Sequence, residues 1–330
     1  MAVKDLNKLA DATAAGASGY STRRAFYAVY DGHGGSRCSQ FLEQTLHLNV
    51  ARHPQFFVDP QRALLEAWAS TDAQFQAMCV GESGRREVER AGSTAVVCLI
   101  VGNTLYTCNC GDSSAVLLGS GAGEVTNGDE GAKNGSARSD SAGPQKQRRS
   151  SSSAAPAPCA ISLTVEHGTE NSDEAARVIE AGASLICPTR VVHGRFPHCC
   201  RTRVVSYGKP RLFPGGLLVT RSFGDLHAKL ASLGGNARAF TSEPALVVRT
   251  LDAATDVGLL LMSDGVSDAM DPQAVAKTCR DALANHFDFG EADPVKCVAD
   301  CVVQSAVTHK SWRRKGFAPD NTTAVFVKLG

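Results

Sequence analysis

The sequence predicts an α+β fold in which antiparallel sheets carry helices on their outer faces. Apolar runs rich in β-branched residues follow one another across short turns that contain Gly, Asn or Asp, which favours hairpins over βαβ crossovers. Segments with helical spacing of apolar residues occur in pairs beside these runs. The chain has 330 residues, 43% of them hydrophobic and 20% charged, so it can supply a sizeable core.

The N-terminal part predicts one strand, a helix pair and three further strands. AFYAVYD (25–31) is the first strand, and the two helices that follow have core-facing positions at 38, 41, 42, 45 and 46 and at 64, 68, 71, 75 and 78. Adjoining strands with tight turns are then predicted at STAVVCLIV (93–101), TLYTCNC (104–110) and SSAVLL (113–118).

Residues 119–158 predict a disordered, low-complexity insertion. Of these 40 residues, 25 are Gly, Ser, Ala or Pro, and Val125 is the one strongly apolar side chain. Such a segment cannot bury enough surface to offset the entropy lost when it is ordered.

The C-terminal part predicts further strands and three helices. One helix is expected from about Ser172 to Ala181, ending at Gly182, and two more near 271–284 and 294–308. The predicted strands are SLTV (162–165), LICP (185–188), GGLLVTR (215–221), ALVVRTL (245–251), GLLLMSD (258–264) and TTAVFVKL (322–329). The Arg-rich stretch from Pro188 to Pro214 is longer than an ordinary connection, and it is interpreted either as a substrate-holding flap or as a solvated basic loop.

Charge and hydropathy exclude several classes of protein. The net charge of +1 gives no broad attraction to nucleic acid, so neither nucleic acid nor a membrane surface is an expected partner. The longest apolar runs fall far short of the roughly 20 residues of a membrane-spanning helix. The N-terminus has no apolar segment typical of a secretory signal, so we expect the protein in the cytoplasm or the nucleus.

Four aspartates stand at the ends of predicted strands, each with Gly or Asn beside it. Asp31, Asp112 and Asp264 follow or separate apolar runs, and Asp320 comes just before the last one. Carboxylates at the ends of neighbouring strands can converge although the residues are far apart in sequence. Because hard cations such as Mg²⁺ and Mn²⁺ prefer oxygen ligands, this pattern predicts a two-metal site.

These segments, taken in order, resemble the metal-dependent protein Ser/Thr phosphatases, also called the type 2C or PPM phosphatases. The matching stretches are FYAVYDGHGG (26–35), AGSTAVVCLIVGNTLYTCNCGDSSAVLL (91–118), SLTVEHGTENSDEAARVIEAGA (162–183), GGLLVTRSFGD (215–225), TSEPALVV (241–248), LLLMSDGVSDAM (259–270) and DNTTAVFV (320–327). The resemblance implies one domain over 1–330, with a four-layer α-β-β-α architecture: a central antiparallel β-sandwich flanked by helix pairs. It also implies phosphorylated protein substrates as partners, and we expect a monomer.

The resemblance also assigns roles to residues in the matching motifs. Asp31 would bridge two Mg²⁺ or Mn²⁺ ions, the Gly32 carbonyl would bind one ion, and Asp264 and Asp320 would bind the other. Asp112 and Asp268 match positions tied to a third, weaker metal site. The two ions would activate a bridging water that attacks phosphorus, and His33 would protonate the departing Ser or Thr oxygen.

The N-terminus departs from the resembled family, whose first strand is followed by Arg-x-x-Met-Glu-Asp. The nearest match puts Leu6 at the phosphate-binding arginine and Ala10 at the metal-binding glutamate. Lys4 or Lys8 could replace the arginine only as a point charge, and Asp5 or Asp11 could replace the glutamate. The first strand is thus expected to be missing or divergent. Two functions are then open: a phosphatase, whose activity the loss of the arginine and the glutamate could reduce, or an impaired or inactive phosphatase fold that binds phosphoproteins as a scaffold.

Overall fold

The computed structural model describes residues 1–10, 22–81, 89–119, 159–193, 202–285, 294–315, 318 and 320–329. The strands are β1 (Ala2–Val3), β2 (Arg24–Val29), β3 (Gly32–His33), β4 (Gly92–Ser93), β5 (Ala95–Val101), β6 (Thr104–Cys110), β7 (Ser114–Gly119), β8 (Cys159–Ser162), β9 (Ser184–Ile186), β10 (Thr189–His193), β11 (Thr202–Ser206), β12 (Arg211–Phe213), β13 (Phe223–Gly224), β14 (Ala245–Thr250), β15 (Asp256–Met262) and β16 (Ala324–Lys328). The helices are α1 (Arg37–Ala51), α2 (Pro60–Gly81), α3 (Ser172–Glu180), α4 (Leu226–Lys229), α5 (Asp264–Ser267), α6 (Pro272–Asn285), α7 (Pro294–Val307) and α8 (Lys310–Lys315).

Two antiparallel sheets form the centre of the fold. The first sheet has the strand order β1-β2-β5-β6-β14, and the second has the order β16-β15-β7-β8. Every pairing within both sheets is antiparallel. The predicted preference for hairpins over βαβ crossovers is therefore confirmed.

The alternation of side chains along β2 shows how the layers are built. Phe26 and Ala28 pack with residues of α1 and α2, whereas Ala25, Tyr27 and Val29 pack with residues of the second sheet. Successive strand residues point to opposite faces, so both faces of β2 are buried. The outer face of the second sheet is covered in the same way by α6 and α7. This order of layers confirms the predicted α-β-β-α architecture.

Several predicted elements differ from the structure. The stretch from Pro188 to Pro214 is not a plain loop, because β10 and β11 pair as a hairpin and β12 pairs with β9. The run 215–221 forms isolated bridges rather than the predicted strand. Gly119 is the last residue of β7, opposite Asp256, so it is not part of the predicted insertion. Residues 120–158 lie outside the described residues.

The N-terminus contradicts the alignment of Leu6 and Ala10. A first strand exists but is short: Ala2 and Val3 pair with Tyr27 and Phe26, antiparallel to β2. The chain after Val3 therefore runs away from Asp31, and the side chain of Leu6 is buried in the core beneath α1 and α2. The assignment was wrong because register, not local spacing, fixes which end of a strand a residue reaches.

Candidate active site

Predicted metal ligands from four strand ends line one cavity of about 410 Å³. Asp31 follows β2, Asp112 lies between β6 and β7, and Asp264 follows β15. Asp320 precedes β16. Gly32 and His33 line the same cavity. The structure thus brings together residues separated by up to 289 positions, because neighbouring strands of both sheets end at the same place.

The backbone of Asp31 is held by the residues that precede β5. Thr94 donates its backbone N–H to the Asp31 carbonyl at 2.9 Å, and Ser93 Oγ donates to the same carbonyl at 3.2 Å. Thr94 Oγ1 also lies 2.7 Å from Ser113 Oγ. These bonds connect the loop that carries Asp31 to the turn that carries Asp112, so the backbone segments of the two residues are held together.

A second set of bonds holds the loops of Asp264 and Asp320 together. Ser263 Oγ donates to the Asn321 carbonyl at 3.2 Å and accepts the backbone N–H of Thr323 at 3.1 Å. A Cβ atom at Gly265 would lie 2.5 Å from the Asn321 carbonyl oxygen, so only glycine permits this approach.

Asp268, the remaining predicted ligand, does not line the main cavity. It lines a neighbouring cavity of about 220 Å³ together with Asp112, Asp264 and Asp320. Glu166 lines this second cavity as well. Glu166 is thus a further carboxylate of this cavity that the sequence did not assign.

Burial and mutual repulsion raise the pKa values of three carboxylates in the main cavity. Burial, with the charges of Asp264 and Asp320, raises the pKa of Asp31 to about 7. Burial raises the pKa of Asp112 to about 6, with a further contribution from Asp31, and that of Asp264 to about 6, with a further contribution from Asp112. A cation that binds between such buried carboxylates lowers the free energy of their mutual repulsion.

The donor set fits a hard divalent cation. Among the residues that the structure describes, no three His, Cys, Asp or Glu side chains already stand as a finished coordination sphere. Mg²⁺ does not require one, since it retains several waters and binds proteins through one or two carboxylates. The raised pKa values of Asp31 and Asp264, and the place of both residues in one cavity with Asp112 and Asp320, are the observations that support the fit.

His33 forms a close pair with Asp225, which sequence reasoning did not assign. His33 Nε2 lies 2.6 Å from Asp225 Oδ2. Asp225 is fully buried, while His33 keeps 31% of its side chain exposed to the cavity. Burial lowers the pKa of His33, but the hydrogen bond and charge of Asp225 outweigh this, so the pKa is raised. The motif Ser-Phe-Gly-Asp at 222–225 was the signal, but only the fold shows that it reaches His33.

The local backbone is shaped to admit this pair. Asp225 has φ 51°, in the left-handed region that few non-glycine residues adopt. Ser222 Oγ donates to Asp225 Oδ2. A Cβ atom at Gly92 would overlap both the Asp225 carboxylate and His33 Nε2, so position 92 requires glycine. Unusual backbone conformations that surroundings maintain are often found at functional sites.

A buried ion pair supports the loop that carries Asp225. Lys229 Nζ lies 3.0 Å from Asp72 Oδ2, on α2, and donates to the Ser222 carbonyl at 2.8 Å. Asp72 Oδ1 accepts the backbone N–H of Gly224 at 3.0 Å. Helix α2 therefore fixes the segment 222–225 through a carboxylate that does not itself line the cavity.

The lysines predicted to bind substrate lie elsewhere. Lys4 lines a different cavity, with Arg23 and Lys328, and Lys8 pairs with Asp5 at 3.6 Å. The structure does not bring either lysine to the aspartates. Instead, the main cavity is lined by Arg90, Arg211 and His227. Asp5 follows Lys4 away from Asp31 as well, and Asp11 lies outside the described residues.

The sequence model of protein phosphatase 2C matches residues 4–134 and 151–308. The chain belongs to the protein phosphatase 2C family. Metal binding is inherent to this family of hydrolases, and membership confirms the resemblance predicted from the motifs. Among the residues described, no helix is long and apolar enough to cross a membrane.

Relatives in plants match most of the chain at low identity. Probable protein phosphatase 2C 76 from Arabidopsis thaliana is 26% identical over 285 residues, 82% of this chain and 50% of that protein. Probable protein phosphatase 2C 59 from the same plant is 25% identical, over 82% of this chain and 68% of that protein. Probable protein phosphatase 2C 55 from Oryza sativa subsp. japonica is 38% identical over 97 residues, 29% of this chain and 25% of that protein. The chain thus spans between 50% and 68% of the two longer matches.

Solved structures of low identity share the fold. The serine-threonine phosphatase 2C of Toxoplasma gondii superposes with a TM-score of 0.60 at 17% identity, covering 93% of this chain and 85% of that one. A C. elegans sex determining protein gives a TM-score of 0.59 at 21% identity, covering 95% and 58%.

Proposed function

We propose that this chain is a divalent-cation-dependent protein phosphatase that hydrolyses phosphoserine and phosphothreonine in proteins. The observation that carries the proposal is the cavity in which Asp31, Asp112, Asp264 and Asp320 meet next to His33. A cavity that gathers desolvated carboxylates, together with a histidine whose orientation is fixed, has the components of metal-assisted hydrolysis.

The aspartates would hold two Mg²⁺ or Mn²⁺ ions. Asp31 and Gly32 follow β2, and Asp264 and Asp320 come from the two loops that Ser263 connects. Asp112, Glu166 and Asp268 would hold a third, weaker ion in the neighbouring cavity. When bound, such ions lower the pKa of a water and neutralise charge on phosphoryl oxygens.

His33 would act as the general acid. Because Nε2 is directed at Asp225, Nδ1 is the ring nitrogen that would carry a proton to the departing Ser or Thr oxygen. Asp225 acts on His33 and not on the substrate: it fixes the orientation of the ring and stabilises the charged imidazolium. We therefore assign Asp225 as a positioning residue.

A second candidate is an inactive phosphatase fold that binds phosphoproteins as a scaffold. It is favoured by one observation: among the described residues, the N-terminal segment contributes neither a carboxylate nor an arginine to the lining of the main cavity. The two candidates predict the same binding but opposite turnover.

Phosphate release from phosphoserine, phosphothreonine and phosphotyrosine peptides separates the two functions. With Mn²⁺ present, we expect turnover of the first two peptides by the wild type and a loss of about 100-fold or more in Asp264→Asn. Asp281→Asn, which neutralises an exposed carboxylate on α6, is the matched control and should retain wild-type rates. Wild-type protein that binds a phosphopeptide without Mn²⁺-dependent turnover would favour the scaffold.

A further inference from the structure

Two arginines from distant parts of the chain line the cavity that holds the aspartates. Arg90 lies just before β4, and Arg211 is the first residue of β12. The family match does not assign either side chain, and the lysines that the sequence offered in this role lie elsewhere. Two residues with cationic side chains therefore line the cavity beside its carboxylates.

These arginines differ from others near the site because they have no anionic partner. Arg37 pairs with Glu89, and Arg221 pairs with Glu174 at 2.6 Å. Within the described parts of the chain, no carboxylate lies within ion-pair distance of Arg90 or Arg211. A guanidinium without a carboxylate partner, on a residue that lines a cavity, is available for an anion from outside the protein.

The backbone next to both arginines is held in place. Gly34 has φ +67°, and a Cβ atom there would lie 2.6 Å from the Arg90 carbonyl oxygen, so Arg90 packs directly on the loop that follows His33. Arg211 pairs with Ile186 in the register of β12 and β9. Its Nη1 donates to the Gly216 carbonyl at 2.8 Å, which orients the guanidinium head. Two arginines on anchored backbone thus line a single cavity.

We propose that Arg90 and Arg211 bind the phosphoryl group of the substrate. This inference rests on the proposed function, and it names the phosphate-binding groups of that site. The aspartates repel a phosphomonoester unless cations lie between them, so cationic side chains elsewhere on the cavity wall would add to the affinity for phosphate. The planar guanidinium fork donates two parallel N–H bonds to phosphate oxygens, which an ammonium group cannot do.

The test measures the affinity for inorganic phosphate in the presence of Mg²⁺, by calorimetric titration and by competitive inhibition of phosphopeptide turnover. The variants are Arg90→Ala, Arg211→Ala, the double Ala variant and the two single Lys variants. Arg52→Ala, an exposed cation at the end of α1, is the charge-matched control. Circular dichroism and melting temperature of each variant verify that it folds.

We expect each single Ala variant to weaken phosphate binding by about tenfold and the double variant by about 100-fold. The Lys variants should fall between wild type and Ala, and Arg52→Ala should remain within about twofold of the wild type. Because the two phosphate contacts are proposed to act on the ground state, KM should rise more than kcat falls.

The calorimetric titration keeps this inference separate from the proposed function. If the wild type shows no turnover but binds phosphate in a way that depends on both arginines, the proposed phosphatase activity is refuted and the role of the two arginines is supported. Turnover with unchanged phosphate affinity in the double variant would overturn the inference and leave the phosphatase intact. Wild-type protein that does not bind phosphate at all would overturn the inference too.

Discussion

At the scale of single residues, the pair of His33 and Asp225 is the feature that best connects geometry with chemistry. Asp225 is buried, adopts a left-handed backbone conformation and directs one carboxylate oxygen at the imidazole. Its other oxygen, Oδ1, is buried without a hydrogen-bond partner among the described residues. A buried carboxylate oxygen without a hydrogen bond lowers stability, and the orientation of His33 is the best explanation for keeping Asp225 at this position.

Asp225→Asn tests this role without removing a ligand of the metal site. Asn adopts the left-handed conformation readily, so the backbone should keep its shape. We expect kcat for a phosphothreonine peptide to fall about 100-fold, because its alkoxide leaving group needs a proton. The rate for p-nitrophenyl phosphate, whose leaving group needs none, should fall less than about threefold. Equal losses for both substrates would contradict a role that acts through His33.

The carboxylates Asp31, Asp112 and Asp264 give the metal-free protein a characteristic pH dependence. Their pKa values are raised to about 7, about 6 and about 6, so the folded state retains protons that the unfolded chain releases from about pH 4. Stability of the metal-free protein should therefore fall as the pH rises from about 4 to about 7.

Asp264→Asn should reverse part of this loss. In a chelating buffer at pH 7.5, we expect the variant to be more stable than the wild type by about 1 kcal/mol, a value discounted for the partial exposure of the site. At pH 4.5 the difference should shrink, and with Mn²⁺ present the wild type should gain more stability than the variant. Urea denaturation measures all three. A variant that is less stable than the wild type at pH 7.5 without metal would contradict the electrostatic account.

At the scale of elements, the sequence predicted what local patterns determine. The strand β2, the helices α1 and α2 and the later helices α6 and α7 were predicted because their apolar periodicity agrees with the faces they bury. The aspartates were predicted because each marks a strand end. The hairpin of β10 and β11 was not predicted, since it leaves Val191 and Val204 exposed and forms no part of the described core clusters.

What could not be predicted depends on contacts between distant elements. The pairing of β1 with β2 reverses the expected position of Leu6, and no local feature of the N-terminus indicates that register. Asp225, Arg90 and Arg211 reach the cavity only because β4, β12 and β13 assemble around it. Such convergence is a property of topology, which spacing along one segment does not encode.

The connection from α2 to the segment 222–225 makes a prediction at this scale. Asp72→Ala would leave the ammonium of Lys229 buried without its partner, so we expect a loss of about 3 kcal/mol or more in the free energy of unfolding. Activity should fall as well, because Gly224, next to Asp225, loses its hydrogen-bond acceptor. Urea denaturation and kcat measure the two effects.

A double variant provides the control for this ion pair. Asp72→Ala with Lys229→Met removes both buried charges, so it should be more stable than Asp72→Ala alone. Additive losses in the double variant would show that the two side chains are not coupled.

At the scale of the whole molecule, the sandwich places the ends of both sheets at one cavity. Asp31 follows a strand of the first sheet, and Asp264 and Asp320 flank strands of the second. The turn of Asp112 joins β6 of the first sheet to β7 of the second. The near-neutral charge of the chain thus conceals a local concentration of carboxylates. Because ligands come from both sheets, cation binding should stabilise the fold as a unit rather than a single loop.

The most direct test of the central claim is the Mn²⁺ dependence of phosphate release from a phosphothreonine peptide, measured for the wild type and for Asp31→Asn. We expect release by the wild type to saturate with Mn²⁺, to stop when a chelator is added, and to fall about 100-fold or more in Asp31→Asn. Release that is independent of Mn²⁺ and chelator, or that is unchanged in Asp31→Asn, would contradict the assignment of this cavity as a metal-dependent phosphatase site.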